Sequence, residues 1–280
     1  MSHPETFLLA GVMGWPVMHS RSPKLHSYWF ERYGLAGAYL PLAIQPDGLE
    51  RALRALGPLG FAGCNLTIPH KEQALRIVDH ADDRARRIGA ISCVTVNKDG
   101  TLTGTNNDWY GFLENLLEAQ PSWRADAGPA VVMGAGGGSR AVVDALIHAG
   151  AKEIRLINRT HERAVTLARD LGGPVTCVPW AERHAALDGA ALLVNTTSQG
   201  MVGNPPLDLT LDALPRSAIV YDIIYIPGQT PLLAAAHARG NATLNGLGML
   251  LHQGRPAWKS WFGLDVEVTR ELRALIEATI

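Results

Sequence analysis

The sequence predicts an α/β protein of two domains, and three observations carry that reading. Short apolar runs alternate with helix-period segments along the 280 residues, the pattern of βα units around mainly parallel sheets. A glycine-rich turn, Gly134 to Ser139, joins one such run to a helical segment. Residues 120–129 are rich in Pro, Gly and polar side chains and read as a linker. The expected division is 1–120 with 246–280 as one domain and 121–245 as the other.

In chain order, Phe7 to Val12 is a strand. The loop from Gly14 to Arg21 carries His19 and Ser20, Ser22 follows, and Pro23 opens a helix towards Tyr33, since proline is well tolerated at a first helical position. The two serines therefore stand at or just before a helix N-terminus. Tyr39 to Ile44 is a strand, Asp47 to Leu56 a helix and Phe61 to Leu66 a third strand, running on through Asn65-Leu66-Thr67-Ile68-Pro69-His70-Lys71-Glu72 into a helix. Lys71 falls in a first helical turn, where the dipole opposes a cation, so either the site uses it or it is a tolerated, solvated lysine. Ala81 to Ile88 is a helix, and Ile91 to Val96 with Thr101 to Thr105 forms a hairpin. Asp108 stands directly before the helix Trp109 to Ala119, and its simplest role is that of an N-cap.

The later half begins with the strand Ala130 to Met133, glycines at 134, 136, 137 and 138, and a helix from Arg140 towards Gly150. A strand that enters a helix through glycine presents free backbone N–H groups at the positive end of the helix dipole, a site for a phosphate or pyrophosphate. Gly134 allows the turn and Gly136 the close approach, whereas Ser139 takes the third fingerprint position usually held by Gly or Ala. The next strand, Ile154 to Ile157, ends in Asn158-Arg159-Thr160 before the helix His161 to Leu171, with no acid to hold the ribose hydroxyls of NAD. Arg159, with Arg163 one helical turn on, suits the 2′-phosphate of NADP; the plainer alternative is that Thr160 caps the helix and the arginines are solvated. Val175 to Val178 and Ala190 to Asn195 are strands, the latter ending in Asn195-Thr196-Thr197-Ser198-Gln199-Gly200, where open α/β sheets bind ligands. The strand Ala218 to Ile224 ends near Tyr225, and the helix Pro231 to Arg239 and the strand Ala242 to Leu244 follow. Two helices, Leu247 to Trp261 and Val266 to Thr279, lie beyond the last strand and are expected to pack back on the first domain.

Lys+Arg of 25 against Asp+Glu of 26 leaves a formal charge of -1, with no basic surface for nucleic acid and no polybasic stretch for a membrane. The first residues lack the basic region of a signal peptide, and no apolar run is long enough to span a bilayer. Cys64, Cys93 and Cys177 fit neither a disulfide framework nor a zinc ribbon, so a cytoplasmic, reducing location is expected. The 10 histidines show no ligand spacing, and no metal is expected.

Taken in order, Gly14-x-Pro16-x-x-His19-Ser20-x-Ser22-Pro23-x-x-His26, Asn65-x-Thr67-x-Pro69-His70-Lys71-Glu72, the glycine turn, Asn158-Arg159-Thr160, Asn195-Thr196-Thr197-Ser198 and Gly248-Met249-Leu250-x-x-Gln253 resemble the motifs of the shikimate dehydrogenase family. The resemblance spans nearly the full length. It implies that NADP and a small cyclic carboxylate exchange a hydride, interconverting shikimate and 3-dehydroshikimate on the way to chorismate and the aromatic amino acids. Ser20 and Ser22 would then bind the substrate carboxylate, and Asn65, Thr67, Lys71, Asp108 and Gln253 would line the ring, with Tyr225 close by. Lys71 becomes the acid/base candidate and Asp108 its partner. The cofactor residues implied are Gly134, Ala135, Gly136, Gly137, Gly138 and Ser139 in the turn, and Asn158, Arg159, Thr160 and Arg163 after the second strand. Thr196, Thr197 and Ser198, with Gly246 and Met249, complete them. The family usually has Gly-Ala-Val-Asn-Thr where this chain has Gly89-Ala90-Ile91-Ser92-Cys93, and Asn-Thr-Asp where it has Asn106-Asn107-Asp108. Ser92 and Asn107 thus enter the expected substrate site as departures, and they keep open a related substrate such as quinate or aminoshikimate. A non-catalytic sensor of NADP and a metabolite would not need both Lys71 and Asp108, and a folate-type methylene dehydrogenase would leave the Ser20 and Ser22 loop unexplained. A monomer or a homodimer is expected.

Overall fold

The structure, a computed structural model, describes residues 7–280, so the segment 1–6, read above for the absence of a leader, lies outside it. Two compact units are present: residues 1–107 with 253–279, and residues 108–252 with Ile280. The divisions fall at 107/108 and 252/253, where the sequence reading put them at 120/121 and 245/246. Helix 108–119 counts with the second unit because Phe112 and Leu116 sit in that unit's core, and Met249 joins the same core.

The first unit runs β1 (Leu8–Gly14), α1 (Ser22–Arg32), β2 (Gly37–Ala43), α2 (Leu49–Ala55), β3 (Phe61–Leu66), α3 (Lys71–Ala74), β4 (His80–Ala81), α4 (Asp83–Ile88), β5 (Cys93–Val96) and β6 (Leu102–Thr105). Its sheet has the order β2-β1-β3-β5-β6-β4. β1 is parallel to β2 and β3, but β5 runs antiparallel to both β3 and β6. β4 is parallel to β6, so five strands share one direction and the sheet is mainly parallel as expected, with β5 alone running against them because the hairpin docks it directly beside β3. Helix α4 starts at Asp83 and not at Ala81, since Asp82 caps it by accepting the Ala85 N–H at 2.6 Å. Met13, Leu53, Leu66, Val94 and Leu102 belong to the core under this sheet.

The second unit runs α5 (Asp108–Ala119), β7 (Ala130–Met133), α6 (Gly137–His148), β8 (Ile154–Ile157), α7 (His161–Leu171), β9 (Val175–Val178), β10 (Leu192–Asn195), β11 (Ile219–Asp222), α8 (Pro231–Ala238) and β12 (Ala242–Leu244). All its strand pairs are parallel, in the order β12-β11-β10-β7-β8-β9. Alternation along β7 sends Val132 into the core shared with α5, α6 and α7, and Val131 with Met133 into the core on the opposite face, shared with α8. The strand order reverses between β7 and β10, and the glycine turn leaves β7 at this switch point.

Helices α9 (Leu247–Phe262) and α10 (Arg270–Glu277) end the chain, which rejoins the first unit at Gln253. As expected, they pack on it. The Trp258 indole N–H donates to His26 Nδ1 at 2.6 Å, Trp261 Nε1 donates to the Val94 carbonyl at 3.0 Å, and Trp29 Nε1 to the Glu267 carbonyl at 2.9 Å. His26 stacks flat on Tyr39 with ring centroids 3.9 Å apart. Burial pushes the His26 imidazole down to about 3, so it is neutral and its Nδ1 serves as acceptor. Helix α10 starts later than the sequence suggested because Thr269 caps it, its Oγ1 accepting the Leu272 N–H at 3.2 Å.

Candidate active site

One set of functional side chains gathers at the carboxyl ends of β1 and β3. A Cβ on Gly14 would run into the Thr67 methyl, so glycine lets the two strand ends close up. Thr67 N–H then donates to the Met13 carbonyl at 3.0 Å and Trp15 N–H to the Ile68 carbonyl at 3.0 Å. In the loop after β1, Ser20 Oγ accepts the Ser22 N–H at 3.2 Å. Between them, Arg21 is fastened to the Thr279 carbonyl through Nε at 3.1 Å and Nη2 at 2.6 Å. Ser22 is buried at the first position of α1, with Tyr39 as a hydrogen-bond neighbour. This places two hydroxyls at a helix start, the setting a carboxylate favours.

Lys71 opens α3, a single turn from Lys71 to Ala74, so the opposing dipole is shorter than the sequence implied. The Lys71 carbonyl accepts the Ile91 N–H at 2.8 Å, and buried His70 holds the same turn through Nε2 against the Ile44 carbonyl at 2.9 Å. Thr67, Lys71 and Gln253 are half-buried.

Asn65, Ser92 and Asn107 form a buried chain of hydrogen bonds. Asn65 Oδ1 accepts the Tyr39 hydroxyl at 2.7 Å, and its Nδ2 donates to the Ser92 carbonyl at 3.2 Å. Burial pushes the Tyr39 phenol well above its ordinary range, which keeps it a donor. Ser92 Oγ accepts the Asn107 N–H at 2.8 Å, and Asn106 Nδ2 donates to the Ala90 carbonyl at 2.9 Å. Asp108 is buried and is the first residue of α5, inside the helix and not one position before it.

The second set lies at the carboxyl ends of β7, β8 and β10. Gly134 has a φ of 113°, and a Cβ on it would stand 2.6 Å from Thr196 Oγ1, so only glycine fits. Buried Ala135 leads to Gly136, the N-cap of α6, over which a Cβ would meet nothing within 4 Å. Open space above the first N–H groups of a helix, from Gly137 and Gly138 onward, is what a pyrophosphate requires. Ser139 is wholly buried and its hydroxyl donates to the Gly134 carbonyl, which explains a serine at the third fingerprint position. Asn158 Nδ2 donates to the Thr160 carbonyl at 2.8 Å, and Thr160 occupies the N-cap of α7 without a side-chain cap bond. Arg159 and Arg163 are exposed at the end of β8, as a 2′-phosphate site requires.

Thr196 Oγ1 donates to the Met133 carbonyl at 2.7 Å and Thr197 Oγ1 to Asn195 Oδ1 at 2.8 Å, which fixes the loop that carries Ser198. Gly246 is forced by the Ile223 carbonyl, which a Cβ would strike, and Met249 is buried in the core. Tyr225 is half-buried just past β11. Among the described residues no group of three His, Cys, Asp or Glu is placed to hold a metal ion, and no helix is long and apolar enough to cross a membrane.

Asp222 and Thr230 escaped the sequence reading. Asp222 ends β11 fully buried; its Oδ2 accepts the Thr230 hydroxyl at 2.8 Å, and its Oδ1 accepts Asn195 Nδ2 at 3.1 Å and the Ile224 N–H at 3.1 Å. Thr230 also caps α8 by accepting the Leu233 N–H at 3.3 Å. In sequence only that cap is visible, as a Thr before a Pro. Burial outweighs the three hydrogen bonds and raises the Asp222 carboxyl to about 6.

With this geometry in place, the comparisons with known proteins are specific. Residues 12–94 match the model of the shikimate dehydrogenase substrate binding domain, and residues 119–203 that of shikimate / quinate 5-dehydrogenase. The shikimate dehydrogenase (NADP(+)) of Paramagnetospirillum magneticum is 59% identical over 268 residues, 96% of this chain and 97% of that protein. That of Rhodospirillum rubrum is 56% identical over 272 residues, 96% of each chain. Among solved structures, the shikimate 5-dehydrogenase of Thermus thermophilus in complex with NADP(H) and shikimate has a TM-score of 0.87 at 35% identity, covering 98% of this chain and 100% of that one. A quinate dehydrogenase from Corynebacterium glutamicum in complex with NAD has a TM-score of 0.89 at 30% identity, covering 97% and 99%.

The raised Asp222 carboxyl makes stability depend on pH with a definite sign. Between an unfolded value near 3.8 and a folded value of about 6, the folded chain holds a proton that the unfolded chain has lost. The contribution is therefore complete below the unfolded value and is lost as pH rises through the folded one, by about 3 kcal/mol at most. Urea unfolding of the unaltered chain and of Asp222→Asn from pH 4 to 7 is expected to show the unaltered chain losing stability relative to the variant. Parallel curves would mean that Asp222 titrates as an ordinary carboxylate.

Proposed function

The chain belongs to the shikimate dehydrogenase family, and from that premise we propose that it interconverts shikimate and 3-dehydroshikimate with NADP. The observation that carries the reading is the group at the carboxyl ends of β1 and β3, where two serine hydroxyls at a helix start share one unit with Thr67 and Lys71. NADP, when bound, supplies the two-electron chemistry of alcohol oxidation and ketone reduction. The turn from Gly134 to Ser139 holds its pyrophosphate, and Arg159, with Asn158, Thr160 and Arg163, holds its 2′-phosphate.

Ser20 and Ser22 donate to the substrate carboxylate and fix one end of the ring. Thr67 and Gln253 bind ring hydroxyls. Lys71 Nζ takes the proton from the reacting hydroxyl during oxidation and returns it during reduction. The Asp108 carboxylate accepts from the Lys71 ammonium that results and keeps it in line with the substrate oxygen. Tyr225 stands beside the ring. A protein that only sensed the two ligands would have no use for this proton-handling pair. The three cysteines, Cys64, Cys93 and Cys177, fit no disulfide framework and suit a reducing cytosol.

Two substitutions test the assignment. Arg159→Ala removes a charge-assisted pair worth about 1.5 to 3 kcal/mol, so the KM for NADP is expected to rise about 10- to 100-fold while that for NAD hardly moves. Equal changes for both cofactors in initial-rate measurements would remove the 2′-phosphate from Arg159. Lys71→Met keeps the apolar stem and is expected to lower kcat by about 10² or more with little change in Tm. Near-normal turnover in that variant would exclude Lys71 as the proton carrier.

A further inference from the structure

Arg21 stands between the two serines of the proposed carboxylate turn, and its side chain is bonded where local structure does not require it. It is the N-cap of α1, a position that favours the short acceptors of Ser, Thr, Asp and Asn, and a guanidinium, which has donors only, makes no cap bond there. The side chain turns instead to the carbonyl of Thr279, 258 residues further on, which accepts from Nε at 3.1 Å and from Nη2 at 2.6 Å. Nη1 donates to the His19 carbonyl at 2.9 Å. One planar group thus ties the loop after β1 to the segment that follows α10.

The docking of α10 does not call for this clasp. The Tyr28 hydroxyl and Thr269 Oγ1 share a hydrogen bond of 2.8 Å, Trp29 Nε1 donates to the Glu267 carbonyl at 2.9 Å, and Leu272 and Ile276 are fully buried. The loop, by contrast, has few anchors of its own: Trp15, Pro16, Met18 and His19 are exposed, and Val17 alone between 15 and 20 is buried. Inside the turn the Ser20 N–H donates to the Val17 carbonyl at 3.0 Å and Ser20 Oγ accepts the Ser22 N–H at 3.2 Å, which leaves the Ser20 hydroxyl proton for an incoming anion. A loop held only so far would lose conformational entropy each time it bound a ligand, and an anchor that fixes it beforehand removes that loss. The three bonds of Arg21 all end on neutral carbonyls, so its charge meets no carboxylate among the described residues and this end of the helix stays favourable to an anion. We propose that Arg21 is a positioning residue for substrate binding: its fork onto the Thr279 and His19 carbonyls holds the Ser20–Ser22 turn ready for a ring carboxylate, and so selects an anionic ring over a neutral one. This inference rests on the proposed dehydrogenase reaction and adds to it the residue that preorganises the carboxylate end of the site.

The test compares kcat and KM of the purified full chain for shikimate and for its primary amide, a neutral compound of the same shape. The unaltered chain is expected to favour shikimate in kcat/KM by about tenfold or more. In Arg21→Leu the KM for shikimate is expected to rise about tenfold, with kcat within about twofold and the amide hardly affected, so that the preference shrinks. The Tm of Arg21→Leu is expected to fall little, because the bonds of Tyr28 and Trp29 keep α10 in place. Should Arg21→Leu fail to fold, Arg21→Gln keeps one donor towards the Thr279 carbonyl without the fork, and the same KM-specific loss is expected from it. Equal losses for shikimate and the amide, a loss in kcat alone, or an unchanged KM overturns the assignment and leaves Arg21 a structural residue. Failure of the underlying reaction is separately visible as no turnover of shikimate by the unaltered chain, which overturns both.

Discussion

The hydrogen bond from the Asn107 N–H to Ser92 Oγ, 2.8 Å long, decides where the chain leaves β6 and enters α5, and so where Asp108 begins its helix. Ser92 is itself fixed from the other side. Its carbonyl accepts Asn65 Nδ2, Asn65 accepts the Tyr39 hydroxyl, and Tyr39 lies flat against His26, which accepts from the Trp258 indole. The series runs from the C-terminal helix α9 through α1, β2 and β3 to the residue before Asp108 without a charged member. A neutral His26, kept so by burial, is what allows it to accept from Trp258. Removing any one member would strand a buried donor or acceptor, so these residues hold this end of the first unit as a group.

The second unit solves a different problem. A phosphate site at a helix start needs bare backbone, and Gly134 and Gly136 supply it, one by a left-handed conformation and the other by open space. Bare backbone is mobile unless its surroundings hold it. Ser139 closes the turn on itself through the Gly134 carbonyl, Thr196 bonds back to the end of β7, and Asp222 joins the ends of β10 and β11 to the start of α8. The buried carboxyl lets one residue accept from Asn195, Ile224 and Thr230 together, and its raised pKa is the cost of that position.

Much of this was legible in sequence because it is local. The strands Phe61–Leu66, Val175–Val178 and Ala242–Leu244 carry apolar runs bounded by turn residues, and the structure places them at those limits. The glycine turn and the arginine after β8 were readable for the same reason. What escaped depends on pairing across distance. The antiparallel course of β5 beside β3 follows from how the hairpin docks, which its own residues do not state. The partners of Asp222 and Tyr39 come from separate strands, and Ser92 looks like a lost side chain in sequence but is a strut in the fold. Helix α3 shrank to one turn because Lys71 and His70 bond to other segments, overriding the local helical pattern.

The most direct test of the account is initial-rate kinetics of the purified chain with shikimate and with quinate, each against NADP and NAD. Shikimate with NADP is predicted to give the highest kcat/KM, with exchange of either partner lowering it by about tenfold or more. Fastest turnover of quinate with NAD, or none of shikimate with either cofactor, would contradict it.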